Sequence, residues 1–95
     1  MAFRILYHPR VQGEDLPVLN RDLRDRMARA VEQRLAAEPT YYGEPLRHHL
    51  KGYWKLRVGD YRIVYTLIEQ TILVIAVRHR KEVYAISVRR LVWRP

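Results

Sequence analysis

The segment from Leu50 to Tyr84 constrains the fold more than any other, because its pattern closes on a three-stranded antiparallel meander. At its centre is Val58-Gly59-Asp60-Tyr61. A two-residue hairpin loop needs a positive φ, which glycine adopts without steric cost, so Gly59-Asp60 reads as the loop. Val58 then faces Tyr61, Arg57 faces Arg62, Leu56 faces Ile63 and Trp54 faces Tyr65. Cross-strand partners share a face. One face holds Trp54, Leu56, Val58, Tyr61, Ile63, Tyr65 and Leu67 and reads as core; the other holds Lys55, Arg57 and Arg62. Two arginines directly opposite one another repel, at a cost of up to about 1 kcal/mol. Such a pair points to an anion as the ligand of that face.

The third strand, Ile72 to Val77, is apolar on both faces, so alternation alone does not set its register. A loop of Glu69-Gln70-Thr71 pairs Ile68 with Ile72, Val64 with Ala76 and Arg62 with Arg78. That register sends Leu73, Ile75 and Val77 to the core and sets Arg78 and Arg80 beside the basic cluster. A two-residue loop would bring His79 to the basic face and bury Arg78 with Ala76. The longer loop is preferred, because it packs larger residues inward and leaves no buried cation.

Upstream, Phe3 to His8 alternates as a first strand ended by Pro9, and Val11 to Leu16 suits a short helix stopped by Pro17. Asn20 is a good N-cap for a helix with a Leu23, Met27, Ala30, Val31, Leu35 stripe. Its outer face, with Arg24, Arg26, Arg29 and Glu32, alternates in sign and reads as a solvated surface. Glu38-Pro39 ends it, and Thr40 to Pro45 reads as a loop. His48-His49 are adjacent, a spacing that does not converge on one metal ion, and read as surface residues. After Tyr84 a short helix is expected, with a loose end at Pro95. The whole of residues 1–95 thus reads as one small α+β domain. A twisted antiparallel sheet combines the N-terminal strand with the meander; N-terminal helices cover one face, and a short C-terminal helix follows.

Composition narrows the partners. The net charge is +8, yet residues 1–41 contribute only +1 and residues 42–95 the other +7. Fifteen of the eighteen cations are arginine, whose planar fork suits phosphate oxygens. A polyanion such as nucleic acid is the leading partner class, with an acidic protein second. No cysteine is present, which excludes disulfides and thiolate metal sites and favours the cytoplasm. There is no signal-peptide pattern and no apolar run of membrane-spanning length, so no membrane role is expected.

The stretch LKGYWKLRVGDYRIVY followed by AVRHRKEVY resembles the RelE/ParE superfamily of bacterial and archaeal toxins, and the resemblance covers essentially the whole chain. It implies a toxin of a type II toxin–antitoxin module, held by an acidic antitoxin. In one branch such toxins are ribosome-dependent endoribonucleases that cut mRNA without a metal or other cofactor; in another they poison DNA gyrase. By the resemblance, Lys55, Arg57, Arg62, Arg80 and Tyr84 are the catalytic candidates, with arginine at 57 where the RNA-cutting branch has a second lysine. Lys51, Arg78 and Lys81 flank them as candidate RNA contacts. Cleavage through the RNA's own 2′-hydroxyl needs a base, cations for the phosphorane charge and an acid for the 5′-oxygen. The arginines suit charge stabilisation, and Lys55 and Tyr84 suit proton transfer. His79 is a rival acid/base by its chemistry, though the register turns it from the cluster.

Overall fold

The computed structural model describes residues 3–92. The expected looseness at Pro95 therefore falls outside the described residues. Five strands form one mixed sheet in the order β1-β5-β4-β3-β2: β1 (Arg4–Tyr7), β2 (Glu44–Pro45), β3 (Tyr53–Val58), β4 (Tyr61–Ile68) and β5 (Thr71–His79). The α+β class and the meander are as the sequence implied. The N-terminal strand differs in direction: β1 pairs β5 in parallel, because helical segments carry the chain across the sheet before the meander begins.

The β3–β4 hairpin has the expected register throughout, from Val58 opposite Tyr61 to Trp54 opposite Tyr65, with Gly59 at φ +60° in its loop. The β4–β5 connection is different. Its loop is the two residues Glu69-Gln70, pairing Ile68 with Thr71 rather than Ile72. Glu69 takes φ +56°, the left-handed conformation that sequence rules reserve mainly for glycine and asparagine. A β-bulge follows, so that Tyr65 pairs Val74 while Val64 pairs Ala76. The extra residue, Ile75, restores the expected pairing of Arg62 with Arg78. The short loop and the basic pairing thus coexist.

The bulge also divides β5 between two cores. Ile72, Val74 and Val77 join Leu56, Val58, Ile63 and Tyr65 under the N-terminal helices. Leu73, Ile75 and Ala76, with Val64 and Val83, form a second cluster on the opposite face. Leu73 and Ile75 therefore do not join the core face where the longer loop would send them. The two-residue loop shifts them across the sheet, and of the three expected residues only Val77, beyond the bulge, keeps its place. The second cluster is covered by α3 (Val83–Arg89), so helices cover both faces.

On the first face lies α1 (Arg21–Ala30), capped as expected by Asn20, whose Oδ1 accepts from Leu23 N–H at 2.9 Å. It runs on through a π-type turn, Val31–Leu35, to bury Val31 and Leu35. Before it, Val11–Asp15 forms a π-type turn and Leu16–Val18 a 3₁₀ turn. Pro17 sits inside that second turn rather than stopping a helix, since a first-turn position needs no N–H from it. Residues 40–45 are not all loop: Pro39 opens a one-turn helix, α2 (Pro39–Tyr42), and Glu44–Pro45 is β2. The buried Tyr65 hydroxyl anchors this turn by donating to the Pro39 carbonyl at 2.6 Å.

Contrary to the expectation of no buried cation, Arg62 is 7% exposed and Arg90 is 5% exposed. Both are satisfied by hydrogen bonds. β1 covers β5 only from Thr71 to Val74. Beyond it, Asp15 accepts from Val77 N–H at 2.9 Å and Arg90 donates to the Ile75 carbonyl at 2.8 Å. Arg90 closes the arrangement on fully buried Asp15, at 2.7 and 2.9 Å. Side chains thereby stand in for a strand, and the end of α3 is tied to β5.

Candidate active site

The basic face of the meander is built in rows. Arg57, Arg62 and Arg78 are consecutive partners across β3, β4 and β5. The next row holds Lys55, opposite Val64. α3 leans over this second row, and its Tyr84 meets Lys55: the ammonium lies 5.8 Å from the ring centroid, a cation–π distance. Both side chains are half-buried. Two candidates 29 positions apart in the sequence are thus neighbours, one supplied by an edge-side strand and the other by the helix that follows β5.

The arginines of the row have different tasks. Arg62 donates through Nη1 to the carbonyls of Gly59 and Tyr61, each at 2.9 Å, and so ties down the β3–β4 hairpin. Its other nitrogens have no hydrogen bond, and none is sealed from solvent without one. Arg78 is more fully committed than an RNA contact requires. It donates to Glu82 at 2.8 Å and to Asp15 at 3.0 Å. The hydrogen bond to Glu82 holds its guanidinium still more firmly protonated; partial burial opposes this, and the hydrogen bond and charge of Asp15 add to it, so the net shift is upward. Arg57 is exposed, and its side chain makes no hydrogen bond or ion pair among the described residues. It also borders a cleft of about 370 Å³ between α1 and β3.

Arg80 lies at the hairpin tip, where its N–H donates to the Asp60 carbonyl at 2.8 Å. Its guanidinium stands 3.9 Å from the Asp60 carboxylate in an open, solvent-exposed pair. Lys51 and Lys81 are exposed, as RNA contacts would be. His79 faces Tyr61 with ring centroids 5.6 Å apart, and its Nδ1 accepts from Lys81 N–H at 3.2 Å. That places it at the core edge, away from Lys55 and Tyr84, as its register implied. His48 and His49 are exposed. Among the described residues no group of three His, Cys, Asp or Glu could hold a metal ion, and no helix is long and apolar enough to cross a membrane.

The fold and these residues can be set against known proteins. Residues 5–84 match the family model described as "ParE toxin of type II toxin-antitoxin system, parDE". The chain belongs to that family. It falls within the RelE/ParE superfamily that its meander motifs resemble. The toxin RelG of Mycobacterium tuberculosis is 36% identical over 52 residues, which is 53% of this chain and 60% of RelG. The chain thus spans less than two thirds of that relative. Among solved structures, the RelBE2 toxin–antitoxin complex of M. tuberculosis superposes with a TM-score of 0.78 at 26% identity, over 84% of this chain and 100% of that one. A mutant E. coli RelE in the free state gives 0.76 at 22% identity, over 97% and 100%; at that identity the likeness concerns the fold alone.

Sequence reasoning missed Asp15 and Arg90, whose pairing spans 75 positions. It also set aside the arginines of α1 as solvated. The available signal was the three-residue spacing of Arg26 and Arg29, which places both on one helix face.

Proposed function

We propose that this ParE-family chain is the toxin of a toxin–antitoxin module and acts as a ribosome-dependent, metal-free endoribonuclease. The observation that carries the reading is Lys55 stacked on Tyr84, beside a row of arginines. A surface that only held an anion would need the arginines and no proton-transfer pair next to them.

In this reading one of Lys55 and Tyr84 takes the proton from the RNA 2′-hydroxyl. The 2′-oxygen attacks phosphorus, the P–O5′ bond breaks, and the other group returns a proton to the 5′-oxygen. The products are a 2′,3′-cyclic phosphate and a 5′-hydroxyl. Arg57, Arg80 and the free nitrogens of Arg62 stabilise the phosphorane charge. The ribosome holds the message extended and in line, so the toxin supplies cations and proton transfer rather than a deep pocket. An acidic antitoxin covering the basic face would silence it, consistent with the net charge of +8 and with the solved toxin–antitoxin complexes of the same fold.

The family model supports a second reading, a gyrase poison that cuts nothing. Primer extension on mRNA incubated with ribosomes and purified protein, run beside a supercoiling assay, separates the two. Tyr84→Phe removes one oxygen and almost no stacking surface. It should still bind programmed ribosomes while cleavage drops about 100- to 10,000-fold, the range for loss of a general acid or base. Wild-type protein that blocks supercoiling and leaves mRNA whole would transfer the case to the gyrase reading.

A further inference from the structure

A second basic site lies beyond the edge of the meander face. α1 and the turn after it pass across the end of β3 and leave the cleft of about 370 Å³. Arg26, Arg29, Arg34 and Arg57 line it, with Gln33 and Gly59. Not one carboxylate does. Among the described residues none of these four guanidinium groups makes a hydrogen bond or ion pair. By contrast, Arg62, Arg78 and Arg90 are bonded internally.

Arg26 reaches across the cleft to the hairpin tip at Gly59. A Cβ added there would come within 3.2 Å of an Arg26 terminal nitrogen. The residue that lets the hairpin turn also leaves room for Arg26 over its tip. Arg26 to Arg34 spans eight residues, about 12 Å along a helix at 1.5 Å per residue. Arg57 then links this line of charge to the row on the meander.

We infer that the α1–β3 cleft is a second binding site for the phosphodiester backbone of RNA, in which Arg26, Arg29 and Arg34 hold the toxin on its substrate without taking part in cleavage and Arg57 is shared with the cleavage site. This rests on the RNA-directed reading above. Four unpartnered guanidinium groups around one space repel one another unless an anion enters it. The lining is mainly polar, with Ala30 and Val58 as its apolar side chains. Protein–protein interfaces concentrate apolar side chains and deplete charge at their centre, whereas nucleic-acid interfaces are polar and strongly positive. The lining therefore favours a phosphate backbone over an acidic peptide. Arginine forks bind phosphate oxygens two at a time, so a run of them tracks a backbone and reads no base.

The test is Arg29→Gln/Arg34→Gln, two positions outside the proposed catalytic set. Glutamine keeps the helix propensity of arginine, so the thermal melt should superimpose on wild type. Binding to a mixed-sequence single-stranded RNA oligonucleotide is titrated between about 50 and 200 mM salt. The log–log salt slope should fall by about 1.4, at ~0.7 per lost phosphate contact on a single strand. The matching double lysine variant should restore most of it. Cleavage at saturating protein should be unchanged. An unaltered slope and affinity would overturn the inference, as would a loss that lysine does not rescue. Intact RNA binding with lost affinity for a co-expressed acidic antitoxin would also overturn it, making the cleft a protein site. The two readings fail separately. Wild type that binds RNA through these arginines but cuts no mRNA keeps the cleft and loses the enzyme; cleavage with a slope indifferent to the pair does the reverse.

Discussion

Both edges of the meander are left short by their flanking strands, and the chain treats the two in opposite ways. β1 covers β5 only as far as Val74, and β2 reaches along β3 only from Trp54 to Lys55. At the β5 edge, Asp15 and Arg90 take the backbone groups that β1 leaves. Arg78 joins them and is neutralised by Asp15 and Glu82. At the β3 edge, arginines from α1 gather around Arg57 with no acid among them. Arginine occurs at both margins, so the count of cations says little about ligand binding. An internal anion is what distinguishes them: where the fold supplies Asp15 the guanidinium groups are structural, and where it supplies none they await an outside partner. The sealed edge also serves the open face, since Arg90 follows directly on the helix that carries Tyr84.

The largest expected effect attacks the sealed edge. Asp15→Ala leaves Arg90 buried without its carboxylate and the Val77 N–H without an acceptor. Removing one partner of a buried pair typically costs about 3–5 kcal/mol. Urea denaturation should show a loss of that size. A loss under about 1 kcal/mol, the scale of a surface pair, would erase the contrast between the edges.

A smaller effect separates two members of one row. Arg62→Met should destabilise the fold by about 2 kcal/mol, because two charged hydrogen bonds to hairpin carbonyls disappear. Its row partner Arg57 is exposed and unbonded, so Arg57→Met should change stability by no more than about 0.5 kcal/mol. In the cleavage assay the order changes: both should reduce the rate, each by up to about 100- to 1000-fold as for a lost transition-state contact. Equal stability losses would show that Arg57 is as structural as Arg62.

How much of this contrast the sequence carries depends on distance along the chain. The β3–β4 hairpin was legible to the residue, because Gly59 fixes the loop and alternation fixes the faces. The β4–β5 register was legible only at its far end. The chain makes a tight turn with Glu69 at positive φ and then corrects the phase at Ile75, and two such errors cancel in any reading by alternation. Lys55 and Tyr84 were placed as candidates by motif, while their contact required α3 to fold back over the sheet. The Asp15–Arg90 pair was not legible. Nothing local distinguishes Asp15 from the exposed Glu14 beside it, or Arg90 from Arg89. Burial, set by tertiary packing, makes the difference.

The smallest effect is a pH dependence confined to the sealed edge. His8 follows β1 and is buried, and its Nδ1 accepts from Arg10 N–H at 3.0 Å, so the ring is held neutral. Burial first, then the charges of Arg90 and Arg10, push its pKa below the ordinary 6.5; Asp15 and Glu14 oppose them without prevailing. In the unfolded chain the ring takes a proton near pH 6.5, whereas in the fold it resists. The unfolded state then binds more protons, so His8's contribution is complete above about pH 6.5 and is lost as acid carries the pH below it. His8→Asn keeps an acceptor near the Nδ1 position and cannot take up the proton. Urea denaturation of both proteins at pH 7.5 and pH 5 should show wild type losing more stability than the variant on acidification. The difference belongs to the margin built by Asp15 and Arg90. RNA affinity of the folded protein, governed by arginines that stay charged throughout this range, should not follow it. Parallel loss of RNA affinity in wild type alone would mean that the two edges are coupled through the sheet, and the division between a structural and a binding margin would have to be redrawn.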